Sequence, residues 1–281
     1  MKITTKQNTI AITSPNLACA GSRILQMCRA GLETVRGLRV LACLARAGQL
    51  RNGLNFFPDD FWSHQPDGGW TDVTETAWAV ACMDALGVWE THPIEQRKES
   101  LQWLKNERGS HGAWGRNSRD MPRIPVTGWV LTLLPELADE KSLSWLESEW
   151  KRDLNSETKL TYKGALTLRA FTSTKAQPKD ESLIPETVEY LMAEQNEDGG
   201  YAPWKGHPVG SEPWSTGIDL LGLTAFPDLV KAEVVESTLD WLGKNQLPNG
   251  LWPCHYIEEG SAYCYWGAVE GMKYLKKIGR L

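Results

Sequence analysis

The stretch WLGKNQLPNGLW, residues 241–252, contains the pattern that decides the fold. An aromatic–aliphatic pair is followed at fixed spacing by Gln, by Gly and by a second aromatic residue. The pattern recurs at residues 190–201, and at residues 103–114 with Arg in place of Gln. A shortened copy ends at Trp70, and a degenerate one at Trp150. Such recurrence predicts an architecture in which one helical hairpin repeats along the chain.

Each copy is followed by a second, more apolar segment that begins near a small residue. Residues 218–223 are apolar almost throughout, whereas residues 231–242 are apolar on one stripe only. A helix that is apolar on all sides is buried, and an amphipathic helix faces water on one side. The small residues, which would allow close helix approach, are Gly37, Ala77, Gly128, Gly164, Gly217 and Gly267.

This alternation predicts an all-α fold, a single (α/α)6 toroid. Six inner helices would surround a central cavity, and six amphipathic outer helices would cover them. Residues 1–18 are predicted to form an N-terminal tail, and residues 19–281 the toroid domain. The 41% hydrophobic and 23% charged residues are ordinary for a globular protein.

Composition excludes several classes of protein. The net charge of −5 and the absence of a Lys/Arg cluster argue against nucleic-acid binding. The longest apolar runs, such as residues 126–134, are about half of what a membrane span needs. Residues 1–15 lack the apolar region of a signal peptide, and the six cysteines have no paired spacing. We therefore expect a cytoplasmic protein with reduced thiols and no integral membrane segment.

The repeats resemble the QW motifs of squalene–hopene and oxidosqualene cyclases. These cyclases share the (α/α)6 toroid with the β-subunits of protein prenyltransferases. The resemblance covers about residues 20–278 and is specific for the fold rather than for an activity. Squalene cyclases contain two such domains, and this chain is long enough for one. The resemblance therefore implies a smaller, single-domain protein.

Class II terpene cyclases have a D-x-D-D-T-A motif whose central Asp protonates an alkene or epoxide. The corresponding stretch here is residues 72–77, DVTETA, with Thr74 at the place of the central Asp and Glu75 at that of the last Asp. Asp72 and Glu75 can share one face of a helix, where two buried carboxyls could share a proton. Both are candidate proton donors, and capping of the helix N-terminus is the alternative role.

Protein prenyltransferases hold zinc with Asp, Cys and His, and their Tyr-His-x-Cys-Tyr stretch corresponds here to residues 261–265. Ala262 stands in place of the His, and the expected Asp-x-Cys pair is absent from residues 211–216. We therefore predict no metal and no cofactor. An alternative zinc set comprises His207, Cys254, His255 and Cys264.

Aromatic residues recur at or near the starts of the predicted inner helices, where they point toward the mouth of the cavity. Aromatic faces suit an apolar ligand or a cation, and plain core packing is the alternative. The candidate substrate-binding aromatics are Trp78, Trp129, Tyr162, Trp214, Tyr263 and Trp266.

Charged residues also fall on the predicted inner helices, and Arg39, Arg169 and Asp219 are further candidates for substrate binding. Buried charges are rare unless they are paired or functional. An internal pair of Asp219 with Arg39 or Arg169 is one interpretation. Binding of a phosphate or carboxylate by Arg36, Arg39 and Lys163 is the other.

These observations favour a small terpene-cyclase-like enzyme that binds an isoprenoid or other apolar substrate and starts cyclisation or isomerisation by proton transfer. Asp72 or Glu75 would donate the proton. One alternative is a non-catalytic toroid that binds a ligand or a protein partner, as Thr74 suggests. Another is a carbohydrate-active (α/α)6 enzyme, with Asp72 opposite Asp219 or Glu212.

Overall fold

The computed structural model describes residues 13–29, 34–48, 65–90, 93–157, 159–254 and 257–281. This part of the chain contains eleven α-helices and no strand. The helices are α1 (Leu17–Arg29), α2 (Thr34–Arg46), α3 (Val73–Leu86), α4 (Ile94–Asn106), α5 (Ile124–Leu133), α6 (Glu140–Leu154), α7 (Thr161–Thr174), α8 (Leu183–Glu194), α9 (Pro213–Leu223), α10 (Ala232–Lys244) and α11 (Ile257–Lys277).

Six of these helices form a closed inner ring. In ring order they are α2, α3, α5, α7, α9 and α11, and α11 packs back against α2. Helices α1, α4, α6, α8 and α10 lie outside, each against one or both of the inner helices that flank it in sequence. The predicted (α/α)6 toroid is therefore confirmed. The sixth outer helix is predicted between α2 and α3, where residues 49–64 lie outside the described residues.

The two layers differ in burial as the sequence predicts. Every residue of inner helix α5 except Pro125 is buried, whereas outer helix α4 buries only Ser100 and Leu104. Because outer helices α4, α6, α8 and α10 return the chain between α3, α5, α7, α9 and α11, these inner helices run parallel, and the contacts of Arg39 with the first turns of α3 and α11 and of Arg46 with the end of α5 give α2 the same direction. They all begin at one end of the ring, which we call the mouth, and finish at the other, which we call the base.

A hydroxyl group in the first turns of an inner helix fixes the final aromatic residue of most repeats. The backbone N–H of Trp114 donates to Thr127 Oγ1 at 2.9 Å, and its indole N–H donates to the Leu104 carbonyl at 2.8 Å. This repeat thus binds an outer helix, its turn and the next inner helix into one unit, as does the repeat ending at Trp252, whose indole N–H donates to the Leu242 carbonyl at 2.8 Å. The same backbone bond joins Trp70 to Thr76, Tyr201 to Thr216 and Trp252 to Ser261.

The last repeat differs in register from the prediction. Helix α11 begins at Ile257, so Ser261 and Ala262 occupy the places that Thr216 and Gly217 hold in α9. Gly267 therefore does not mark the start of this helix, as its sequence spacing had predicted. It lies further along α11, at the crossing with α9.

Glycine permits the close approach of α9 to both of its neighbours in the ring. A Cβ added to Gly217 would lie 2.5 Å from the carbonyl carbon of Tyr263. Further along α9, a Cβ added to Gly222 would lie 2.5 Å from the Cα of Ala165. Contacts between Cβ and backbone do not occur at such distances, so these positions require glycine.

The segment before α1 is bound to the last outer helix and the turn after it. The Thr13 backbone N–H donates to Asp240 at 3.0 Å, and that of Asn16 donates to Gln246 at 2.6 Å. Residues 1–12 of the predicted tail lie outside the described residues. In the described part of the chain, none of the helices combines the length and the apolar character that crossing a bilayer requires.

Candidate functional site

Two carboxyl groups flank one arginine at the mouth of the ring. Glu75 in the first turn of α3 and Glu259 in the first turn of α11 both form salt bridges with Arg39 of α2. The three side chains, which we call the carboxyl–arginine triad, are only 11–17% exposed. Two acidic groups thus compete for a single, largely buried cation.

Within the triad, Glu75 has one engaged oxygen and one unengaged oxygen. Its Oε1 contacts Arg39, while its Oε2 is buried and has no hydrogen-bond partner. A buried carboxyl oxygen of this kind can hold a proton and donate it to a group brought against it. Glu75 is therefore the better placed of the two predicted proton donors.

Asp72 occupies the N-cap of α3, which was its alternative role. Its Oδ1 accepts a hydrogen bond from the Glu75 backbone N–H at 3.0 Å, and Arg116 lies 3.9 Å from its Oδ2. Burial raises the pKa of the Asp72 carboxyl, and the charges of Arg116 and Arg39 oppose this rise. The two predicted acids thus have different partners, since Asp72 binds the helix end and Glu75 binds Arg39.

Sequence reasoning missed Glu259, the second carboxyl of the triad. The signal was available, because Glu259 precedes Tyr263 by four residues and Trp266 by seven and so shares their face of α11. Placing the start of the inner helix near Gly267 left this face unrecognised.

The six predicted aromatic residues form one continuous cluster inside the ring. Trp78 and Trp129 lie deep, with ring centroids 4.7 Å apart. Tyr263 stacks on Trp129 at 5.6 Å with an angle of 17° between the rings, and Trp266 lies 6.4 Å from Trp78. These four rings are at most 5% exposed and touch one another across the space that the inner helices enclose. Contacts of this kind are favourable aromatic pairs.

Toward the mouth the aromatic cluster becomes accessible. Trp214 lies 6.3 Å from Tyr263, and Tyr162 lies 5.0 Å from Trp214. Both are half-buried and stand in the first turns of α9 and α7. Glu259 of the triad lies one helical turn before Tyr263 on α11, so the triad and the aromatic cluster adjoin; burial raises the pKa of Tyr263, and the charge of Arg39 opposes the rise. The cluster is thus packed as core at depth and presents aromatic faces at its rim.

Asp219 lies apart from the triad. Its carboxyl is completely buried, and neither oxygen has a hydrogen-bond partner. Thr161 is close enough to affect it, but the Thr161 hydroxyl donates to the Ala202 carbonyl at 3.0 Å. Burial raises the pKa of Asp219 well above its ordinary value. Burial raises the pKa of Tyr201 and of Tyr190, and Asp219 contributes to both shifts.

The predicted internal pair of Asp219 with Arg39 or Arg169 is therefore wrong. Arg39 is engaged by Glu75 and Glu259, and Asp219 avoids the cost of a buried charge by remaining protonated. The alternative anion site of Arg36, Arg39 and Lys163 is not assembled either. Lys163 lies 2.6 Å from Asp153, and the side chain of Arg36 is outside the described residues.

Replacing Asp219 by Asn is expected to stabilise the protein at pH 7 by about 1 kcal/mol or more. The folded state retains the Asp219 proton, whereas the unfolded chain releases it above about pH 4. Wild-type stability is therefore lost as the pH rises from that value, and the Asn variant escapes this loss. Urea unfolding at pH 4 and pH 7 measures the difference. The difference in unfolding free energy between wild-type protein and the Asn variant should nearly vanish at pH 4.

A matched control for this prediction is Asp120→Asn. The Arg123 side chain lowers the pKa of half-buried Asp120, so this substitution should bring no gain at pH 7. Equal stability of wild-type protein and the Asp219 variant at pH 7 would contradict a protonated buried carboxyl.

The remaining carboxyls do not provide the facing pair that a carbohydrate-active site needs. Glu212 is the N-cap of α9 and accepts hydrogen bonds from the backbone N–H groups of Trp214 and Ser215 at 2.9 and 2.7 Å. Asp72 caps α3 in the same way, and Asp219 is enclosed. None of the proposed pairs therefore lies across an open cleft.

The alternative zinc set was also not found as a group. His207 and Cys254 line a surface pocket of about 550 Å³ together with Pro203, Val209 and Pro213. Cys264 instead donates to the Pro213 carbonyl at 3.1 Å, and His255 lies outside the described residues. Among the residues that the structure does describe, no three His, Cys, Asp or Glu side chains converge as metal ligands.

Comparison with known proteins gives one curated relative and several structural neighbours. No protein-family model matches the chain. The chain is 24% identical over 254 residues to squalene–hopene cyclase of Zymomonas mobilis subsp. mobilis, an alignment that covers 72% of this chain and 38% of the cyclase. It therefore spans well under half of that enzyme.

Two solved structures have the same fold. One is the type II terpene cyclase MstE from Scytonema in complex with geranylgeranyl dihydroxybenzoate, with a TM-score of 0.69 and 18% identity over 92% of this chain and 98% of the other. The second is a possible GH105 family member from Salmonella enterica serovar Paratyphi A, with a TM-score of 0.63 and 13% identity over 98% and 97%. The similarity to the terpene cyclases that the repeats predict is thus confirmed for the fold.

Proposed function

We propose that this chain is a terpene-cyclase-like enzyme that binds an isoprenoid or similar apolar substrate at the mouth of its ring and protonates it. The main support is that the carboxyl–arginine triad includes Glu259, one helical turn before Tyr263 on α11, and that Tyr263 in turn adjoins Trp214 at the rim of the aromatic cluster. Alkene protonation needs an acid in a largely dry site, followed by groups that stabilise a carbocation. The terpene cyclase of the same fold holds a geranylgeranyl compound, which supports a polyprenyl substrate class.

In this proposal Glu75 donates the proton from Oε2. One alkene carbon of the substrate takes the proton, the other becomes a carbocation, and Glu75 becomes a carboxylate that Arg39 stabilises. Glu259 is a positioning residue, because it competes for Arg39 and thereby limits how strongly Glu75 is ionised before the reaction. A proton from a carbon next to the final cation then passes to water, and water returns a proton to Glu75, so the cycle closes and no co-reactant is consumed.

The aromatic faces at the rim would stabilise the cation. Tyr162 and Trp214 stand half-buried beside Tyr263, and an aromatic face attracts a nearby positive charge. Thr74 stands where the terpene-cyclase motif has its catalytic Asp, so the proposed proton donor is the next residue in the chain, Glu75. Asp72 then supports the site by capping the helix that presents Glu75.

Native mass spectrometry of the protein purified from its own host, followed by solvent extraction, tests the ligand class. We expect a bound polyprenyl or terpenoid compound at one per chain. An empty protein with a stoichiometric protein partner would favour the scaffold alternative.

Incubation in D₂O with linear C15 and C20 polyprenyl compounds then tests catalysis. Because the Glu75 proton exchanges with solvent, each cyclised or isomerised product should contain one deuterium at the protonated carbon, as measured by mass spectrometry. Binding of a polyprenyl compound without formation of any product would contradict the proposed enzymatic activity and favour a ligand-binding toroid.

A further inference from the structure

The base of the ring holds two half-buried arginines with enclosed Nε atoms, which we call the basal arginine pair. Arg46 ends α2, seven residues after Arg39 and on the same face. Its guanidinium donates to the carbonyl of Leu133, the last residue of α5, at 2.7 Å. Arg169 of α7 lies 5.4 Å from the ring centroid of Trp266, the deepest residue of the aromatic cluster on α11. The pair therefore lies beneath the aromatic cluster, opposite the triad.

Both arginines keep an unused donor in a buried position. The Nε atoms of Arg46 and Arg169 are enclosed and have no hydrogen-bond partner in the described part of the chain. The hydroxyl of Thr132, next to Leu133, is likewise buried without a partner. Unsatisfied buried donors are costly and require an explanation, which an absent acceptor would supply.

The two cations are also close enough to oppose each other. Burial lowers the pKa of Arg169, and the charge of Arg46 lowers it further, while Glu270 opposes the shift. Glu270 is, however, already engaged by Lys273 at 2.8 Å. Two partly buried like charges that oppose each other are unfavourable by themselves.

The acidic neighbours of Arg46 are engaged as well. Asp84 and Glu136 both influence Arg46 electrostatically, but Arg97 binds Asp84 at 2.7 Å and Glu136 at 2.6 Å. The carboxylates around the basal arginine pair are therefore held by other cations. The base of the ring has an excess of positive charge without a matching anion among the described residues.

We infer that the basal arginine pair binds an anionic group, a carboxylate or a phosphate. Guanidinium groups are suited to both through paired hydrogen bonds. Because Trp266 lies between this pair and the rest of the aromatic cluster, the anion would be the polar end of a ligand with an apolar body. This extension to an amphiphile rests on the proposed function, whereas anion binding itself does not.

The geometry also orients such a ligand. Seven residues of helix separate Arg39 from Arg46, which is about 10 Å along the axis. An isoprenoid acid with its carboxylate on the basal pair could present a bond about that far along its chain to Glu75 only if the four deep rings of the aromatic cluster, which touch one another across the ring, moved apart. The structure thus favours substrates with an anionic end over neutral hydrocarbons.

Binding of farnesoic acid, farnesol and inorganic phosphate to the full chain tests the inference. We expect the acid to bind at least tenfold more tightly than the alcohol, as measured by tryptophan fluorescence titration. Arg169→Gln should abolish this preference, Arg169→Lys should retain part of it, and Arg152→Gln, at an exposed arginine paired with Glu149, should leave it unchanged. Circular dichroism verifies that each variant is folded.

Each outcome is decisive. Phosphate binding that depends on Arg169, without preference for the acid, would support the site but assign it to a free anion. Two results would overturn anion binding by the basal arginine pair. One is equal binding of farnesoic acid and farnesol without phosphate binding, and the other is a preference for the acid that persists in Arg169→Gln. Repeating the titration with Glu75→Gln separates the two proposals, since this variant should bind the acid without converting it.

Discussion

Replacing Glu75 by Gln is expected to lower turnover of a polyprenyl substrate by about 10²- to 10⁴-fold, which is the usual contribution of a general acid. Glutamine keeps the size of the side chain and an oxygen that can accept from Arg39, but it has no acidic proton. Substrate binding and thermal stability should therefore change little. The measurement is the initial rate of product formation, with the dissociation constant determined in parallel.

Two further variants separate the acid from the helix cap. Asp72→Asn keeps a side-chain oxygen for the Glu75 backbone N–H, so it should retain most of the activity. Glu95→Gln, at an exposed residue paired with Lys98, is the matched Glu-to-Gln control. The double variant Asp72→Ala/Glu75→Ala should also be inactive while folded. An inactive Asp72→Asn beside an active Glu75→Gln would transfer the acid role to Asp72, and activity in all of them would disprove initiation by either residue.

Replacing Gly217 by Ala is expected to destabilise the protein by about 3 kcal/mol or more, or to prevent folding. The added methyl would meet backbone atoms of Tyr263 and Cys264 at 2.5 and 2.6 Å, and backbone cannot rotate away as a side chain can. Helices α9 and α11 would have to move apart, which opens the ring beside the triad. Thermal unfolding followed by circular dichroism should show a midpoint lowered by about 6–12 °C.

Gly271→Ala is the matched control, since Gly271 lies at the same helix–helix interface, on α11 where it faces α9. A Cβ there meets only the ends of flexible side chains, Leu220 at 3.3 Å and Leu239 at 3.4 Å, which small rotations relieve. Alanine also has the higher helix propensity, so this variant should be about as stable as wild type. A Gly217→Ala protein that unfolds at the wild-type temperature would show that the helices do not approach so closely.

The repeats were sufficient to predict the ring because their residues act locally. Trp114 binds the carbonyl of the preceding outer helix and a hydroxyl of the following inner helix, so sequence spacing translates directly into hairpin geometry. The last unit departed from this spacing. Its inner helix begins earlier, and Glu259 was missed for that reason.

The partners of the inner charges were less predictable. Whether Arg39 meets Asp219 or Glu75 depends on the rotation of three inner helices about their axes, which apolar sequences do not determine. The aromatic residues illustrate the same limit. Their positions along the chain predicted one group, but the ring-to-ring contact of Trp78 with Trp129 follows from helix rotation and separation.

The closure of α11 onto α2 has a consequence for how the molecule loses its structure. In an open array of repeats, the terminal units have one neighbour each and can unravel first. Here every inner helix has two neighbours, and the segment from Thr13 to Asn16 joins the beginning of the chain to α10 and the turn after it. The ring formed by the described helices therefore has no end unit from which fraying could start. Its unfolding should therefore be a single cooperative event, in which opening any one seam releases the whole circle.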